Sequence, residues 1–176
     1  MAVAPPRIET DRLLLRAHGR DDLDVVRETW SDPVVLRYLG GQPCTEAEAW
    51  QRLLRYAGHW PLLGYGFWRL GERETDRYVG DMGFFDGRRG LGVRFDDAPE
   101  AGWTLASSAH GRGLATEALA AVLAWGDAHL PADRTVCIIH PENAASIRVA
   151  ERFGYREFDR AAYKESPVVL FERRRP

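Results

Sequence analysis

Two glycines one residue apart, in His110-Gly111-Arg112-Gly113-Leu114-Ala115-Thr116, precede a long amphipathic run. A helix that starts on glycines leaves its first-turn amides free, lets the backbone approach a ligand closely and turns its positive dipole end toward it. The chemistry offered is the binding of a phosphate or another anion. A Walker-type loop is excluded, because the gap between these glycines is too short and no Lys-Ser or Lys-Thr follows. A dinucleotide fingerprint fits poorly: Thr116 stands where its third glycine belongs, and Asp133, the acid at a suitable offset, precedes its strand instead of ending it. Plain turn chemistry is the bland reading of the same residues. Further along, Asn143 and Ser146 fall at i and i+3 on the first turn of a helix, where they share a face. Neither cysteine belongs to a Cys/His cluster with zinc spacing, so a metal-free protein is expected, with Cys137 a small buried apolar residue in its strand.

The elements that must position these residues follow from periodicity and punctuation. Residues 12–17 read as a strand and 21–30 as a short helix with aspartates at its positive end. Thr45-Glu46-Ala47-Glu48 fits a capping box and opens a helix to about Trp60-Pro61. Residues 64–72 and 77–86 read as antiparallel strands around a polar turn, and 87–98, rich in Gly, Arg and Asp, as a loop or broken strand end. Residues 99–106 form a strand and 113–130 a helix, with Leu114, Ala118, Leu119, Val122 and Leu123 on one stripe. Residues 134–140 read as a buried strand; Asn143 caps the next helix and Gly154 ends it. Residues 155–161 and 167–173 supply the last strands, and Glu172-Arg173-Arg174-Arg175 reads as a solvated tail. The order defines a mixed α/β fold.

The chain has 176 residues, 45% apolar and 28% charged, with a net charge of −2, which predicts one globular domain over 1–176. The absence of a basic stripe argues against nucleic acid, and no apolar segment is long enough to span a membrane. The start lacks the pattern of a secretory leader, so a cytoplasmic protein is expected.

Several segments together carry a resemblance. His110-Gly111-Arg112-Gly113-Leu114-Ala115 resembles the Gln/Arg-x-x-Gly-x-Gly/Ala coenzyme A loop of the GNAT superfamily of N-acetyltransferases, with His110 in place of the usual Gln or Arg. Glu100-Ala101-Gly102-Trp103, Thr116-Glu117-Ala118, His140-Pro141-Glu142-Asn143-Ala144-Ala145-Ser146 and Phe153-Gly154-Tyr155 resemble the signature of its RimJ/RimL-like branch of ribosomal-protein N-terminal acetyltransferases. Glu9-Thr10-Asp11-Arg12-Leu13 and Val79-Gly80-Asp81-Met82-Gly83 are similar to strands of the same branch, so the likeness runs along nearly the whole chain.

The resemblance implies a mostly antiparallel sheet in which the strands 99–106 and 134–140 splay apart and receive the pantetheine arm of acetyl-CoA. Leu105, Ala106, His110, Gly111, Arg112, Gly113, Leu114, Ala115, Thr116, Asn143 and Ser146 would hold acetyl-CoA. Glu100 would position the incoming ammonium or take its proton, directly or through water, the bland alternative being an exposed strand-edge carboxylate. The family's usual acid position is Ala150 here, so Ser146 would assist the leaving sulfur instead, unless it is simply a solvated helix serine. Trp30 or Trp60, at the ends of the N-terminal helices, would line the acceptor site, and a homodimer is a family-level expectation. The acceptor would be the α-amine of a peptide or protein; a small-molecule amine and a silent acyl-CoA-binding module are the alternatives.

Overall fold

The computed structural model describes residues 4–176. Its strands are β1 (Ile8–Glu9), β2 (Leu13–Arg16), β3 (Phe67–Glu72), β4 (Tyr78–Phe85), β5 (Glu100–Leu105), β6 (Arg134–Ile139), β7 (Arg156–Tyr163) and β8 (Ser166–Arg174). Its helices are α1 (Leu23–Thr29), α2 (Pro33–Leu36), α3 (Glu46–Leu63), α4 (Val93–Asp96), α5 (Leu114–His129) and α6 (Ala144–Arg152). The strands make one eight-stranded sheet in the order β1-β2-β3-β4-β5-β6-β8-β7. All neighbours are antiparallel except β5 and β6, which run parallel.

That parallel pair is the feature on which the site depends. β5 and β6 share a single register pair, Glu100 opposite Val136, beside a bond from the Val136 amide to the Pro99 carbonyl at 3.1 Å. Beyond it β5 stays with β4 and β6 stays with β8, so the two inner edges part toward their C-terminal ends. A V opens there, its inner backbone edges free to pair with an extended ligand.

The faces of the sheet are covered differently. On one, Met82, Phe84, Ala101, Leu105, Cys137 and Ile139 form a core with Leu114, Leu119 and Val122 of α5 and with Ala150 of α6. On the other, Val26 of α1 packs with Ala49 and Leu53 of α3. A buried ionic knot fastens the start of α1 to the sheet. The Asp22 carboxylate accepts from Arg16 at 2.9 and 3.0 Å, from Arg69 at 3.2 Å and from the Gly19 amide at 2.7 Å. Burial pushes the Asp22 carboxyl up, but these donors outweigh it and hold its pKa below the ordinary value.

Four local expectations need correction. The Thr45–Glu48 capping box does open α3, but the helix runs through Pro61 to Leu63. A proline this near the end forfeits little, and the helix closes with the Gly64 amide on the Trp60 carbonyl at 3.0 Å. The loop 87–98 contains α4, held down by Phe95, which is buried beside Val136 and Leu170. Trp60 is chiefly a core residue: it is buried edge-on to Trp68 and Trp125, its indole donates to the Phe67 carbonyl at 3.0 Å, and only its rim walls a cavity with Tyr56 and Ala57. The basic tail is not solvated throughout, because Arg173 lies within β8, is buried, and forms a two-pronged pair with Asp127 of α5 at 2.7 and 2.7 Å.

Candidate active site

At the open end of the V, the segment from β5 to α5 begins with Leu105 and Ala106 and passes through a 3-10 turn at Ser107–Ala109. Gly111 and Gly113 follow, both left-handed, with φ of +71° and +74°. A Cβ at Gly111 would meet nothing within 4 Å, and one at Gly113 only the Arg12 guanidinium at 3.6 Å, so the loop's surface is open. Among the described residues, the backbone amides of Gly111, Arg112, Gly113, Leu114, Ala115 and Thr116 have no acceptor. Alternating left-handed glycines at a helix start make such amides converge, which is a fit for a diphosphate.

The loop is braced from β2's side of the sheet. Glu117, in the first turn of α5, accepts from the Thr10 hydroxyl at 2.6 Å, the Arg12 amide at 2.8 Å and the Arg12 guanidinium at 2.7 Å. Arg12 also donates to the Arg112 carbonyl at 2.9 Å, and the Arg112 side chain pairs with Glu72 at 2.9 Å. With Arg77 and Arg112 both on it, the Glu72 carboxyl is held down at about 2. The segments Glu9–Leu13 and Thr116–Ala118 therefore belong together physically, a pairing across the fold that neither segment discloses alone. His110 turns inward, its Nε2 donating to the Leu105 carbonyl at 3.0 Å. Only Nδ1 is then left to meet a phosphate.

At the closed end of the V lies Glu100, which is no exposed edge carboxylate. It is buried, and Arg89, from the stretch between β4 and β5, donates to it at 2.6 Å. Arg89 is itself stacked on Tyr163 at 4.6 Å and Phe85 at 5.4 Å. Burial raises the pKa of Glu100 even though Arg89 opposes it. The only local hint of this partner was the arginine content of residues 87–98. Beside Glu100 the floor is Phe85 and Gly102, and a Cβ at Gly102 would lie 2.9 Å from the Phe67 ring.

Ser146 lies on the opposite face. Trp103 is an odd number of residues from Glu100 along β5 and so points the other way. Its indole donates to the Ser146 hydroxyl at 3.3 Å, which links β5 to α6. Asn143 caps α6, its side-chain oxygen accepting from the Ser146 amide at 3.1 Å, which leaves its amide nitrogen to donate to another partner. Ala150 is buried in the core, and Tyr155 is buried with its hydroxyl on Thr135 at 2.7 Å. The structure thus gathers Leu105 through Thr116 at one end of the V, Glu100 at the other, and Asn143 with Ser146 on the α6 side. Among the described residues no group of His, Cys, Asp and Glu is arranged to hold a metal.

The acetyltransferase (GNAT) domain family matches residues 12–156. The N-acetyltransferase p20 of Bacillus licheniformis is 27% identical over 171 residues, which cover 92% of each chain. A protein of Bordetella pertussis assigned to the GnaT acetyltransferase family is 34% identical, with a TM-score of 0.85 over 96% of this chain and 99% of its own. The ribosomal α-N-protein acetyltransferase RimL, solved in complex with coenzyme A, shares the fold with a TM-score of 0.75 at 16% identity, over 96% of this chain and 98% of that one. The chain belongs to the GNAT family of acetyltransferases. It is an acetyl-CoA-dependent N-acetyltransferase.

Proposed function

We propose that the protein acetylates the α-amine of a peptide or protein N-terminus, with Glu100 as base, Ser146 as partner of the leaving sulfur, and Leu105, Ala106 and residues 110–116, with Asn143, as the holders of acetyl-CoA. The amides of residues 111–116 bind the diphosphate, and the acyl donor supplies the acetyl group as a thioester. On the α3 side, Glu100 takes a proton from the ammonium, directly or through one water, and the neutral nitrogen forms the new C–N bond as the C–S bond breaks; the second proton the nitrogen sheds passes through water to the thiolate, and CoA leaves as the thiol. On the α6 side, the Ser146 hydroxyl donates a hydrogen bond to the departing sulfur. With a thiol pKa near ~8.5, that sulfur needs no stronger acid, which is compatible with Ala150 at the family's usual acid position.

The observation that carries the choice of acceptor is the buried Glu100 carboxylate at the closed end of the V, already engaged by Arg89. Such a base serves a weakly basic amine best. At pH 7 roughly a tenth of an α-amine but only about one in 2,500 lysine side chains is neutral, given pKa values near ~8 and ~10.4. The fold shared with RimL supports the same reading. The test is a pair of short peptides, one with a free α-amine and no lysine, the other N-blocked with one lysine, assayed for acetyl-CoA-dependent mass gain. The free α-amine is expected to react faster. Equal or faster reaction at lysine, or turnover confined to a polyamine or aminoglycoside, contradicts the proposal.

A further inference from the structure

On the face of the sheet where Glu100 lies, the opposing wall is α3, and it presents Arg52, Arg55, Tyr56 and His59 on one helical stripe. The Arg52 guanidinium sits 3.4 Å over the Trp30 ring, and Arg55 lies 5.9 Å from the ring of Tyr56. The carboxylates nearby each have a closer hydrogen-bond or ion-pair partner than Arg52 or Arg55. Glu48, one turn before Arg52, accepts from the Thr45 amide and hydroxyl at 2.8 and 3.0 Å. Asp86 pairs with Arg88 at 2.9 Å, and Glu100 with Arg89 at 2.6 Å. Asp24 and Glu46 face Arg27 at 3.7 and 3.9 Å. Among the described residues neither Arg52 nor Arg55 forms an ion pair of its own. After burial, the causes that lower the Arg55 pKa are Arg52 and Arg89; after burial, Arg55 also lowers that of His59.

A second observation points to what is missing. Among the described residues, Arg52 Nε, Trp30 Nε1 and His59 Nδ1 are buried without a hydrogen-bond partner. The first two can only donate, so the group that completes them must accept. An acceptor that brings a carboxylate would supply these donors with the partner they lack.

We infer that the amine acceptor carries a carboxylate, which Arg52 and Arg55 bind beside Trp30 while the amino group reaches Glu100. The inference rests on the acetyl-transfer reading above and narrows its substrate. The carboxylate has two sources: the side chain of an acidic residue at a peptide N-terminus, or the α-carboxylate of a free amino acid.

Two matched pairs of acceptors separate these sources: an Asp-led against an Asn-led peptide amide, and leucine against leucinamide. Wild-type protein is expected to prefer the charged member of at least one pair by roughly ten- to a hundredfold in kcat/KM, expressed through KM, as charge-assisted hydrogen bonds allow. The ratio should fall toward one in Arg52→Gln with Arg55→Gln and recover in part in Arg52→Lys. Calorimetric titration of the N-acetylated products into CoA-saturated protein reads the same preference without chemistry. Charge-dependent binding without turnover of any amine would contradict the acetyl-transfer reading and leave this inference standing. Turnover or binding indifferent to the carboxylate, an undiminished preference in the double variant, or no binding of either product would overturn it.

Discussion

Glu100 and Ser146 are both reached from β5, yet one faces α3 and the other α6, so proton removal and thiol departure are assigned to opposite sides of the sheet. If Glu100 is the base, Glu100→Gln lowers kcat by on the order of 10²-fold while leaving acetyl-CoA affinity nearly intact. Ser146→Ala removes the hydrogen bond to the sulfur together with the one accepted from Trp103, both neutral, and costs roughly two- to tenfold. Because burial raises the Glu100 pKa, the ascending acid limb of the kcat/KM profile should lie above the ordinary carboxylate range. The rate rises with pH as the base ionises, and Glu100→Gln erases that limb. For stability the sign is reversed: a carboxyl with a raised folded pKa favours the fold when protonated and loses that contribution as pH climbs through it. Steady-state thiol release across pH checks the kinetic part, and near-normal turnover in both variants moves the catalytic role to other groups, Asp81 or His140 first.

At the scale of elements, what could be read in the sequence was what local physics determines. The capping box of α3, the apolar stripe of α5, the Asn143 cap and the Gly154 stop each depend on residues a turn apart. Arg89 under Glu100, Arg173 on Asp127 and Glu117 on Arg12 join residues 11, 46 and 105 positions apart, and such partners follow from register and packing, not from neighbouring residue types. The fate of Trp60 was obscure for the same reason, since an indole at a helix end reads alike whether it lines a cleft or fills a core. The loop before α5 combines both kinds of information: its glycines are local, its bracing is not. Gly113→Val places a β-branched residue at φ +74° and a side chain over the free amides. The strain is expected to cost about 1–2 kcal/mol of stability, and calorimetry should show acetyl-CoA affinity lowered at least tenfold in protein that remains folded. Unchanged affinity would remove the diphosphate from this loop.

For the molecule as a whole, the N-terminal elements are held to the sheet by carboxylates whose pKa values are depressed. At Asp22 and Glu117 burial opposes ionisation but the donors around each carboxylate prevail. A depressed folded pKa gives stability that is complete above the unfolded value of about 4 and is lost as pH falls through the folded one. Urea unfolding should therefore show a midpoint that drops on acidification below about pH 4. Glu117→Gln should lower the midpoint at neutral pH and flatten the drop; an unchanged acid dependence would mean that this brace contributes little.

The two functional halves meet only if acetyl-CoA lies through the V, between the brace at one end and Glu100 at the other. The most direct test is a crystal structure with coenzyme A and an N-acetylated peptide bound together. The diphosphate is expected on the amides of residues 111–116, the pantetheine between β5 and β6, the sulfur on the Ser146 side and the acetylated nitrogen on the Glu100 side. Coenzyme A bound away from this V, or a peptide nitrogen on the α6 side of the sheet, would contradict the account.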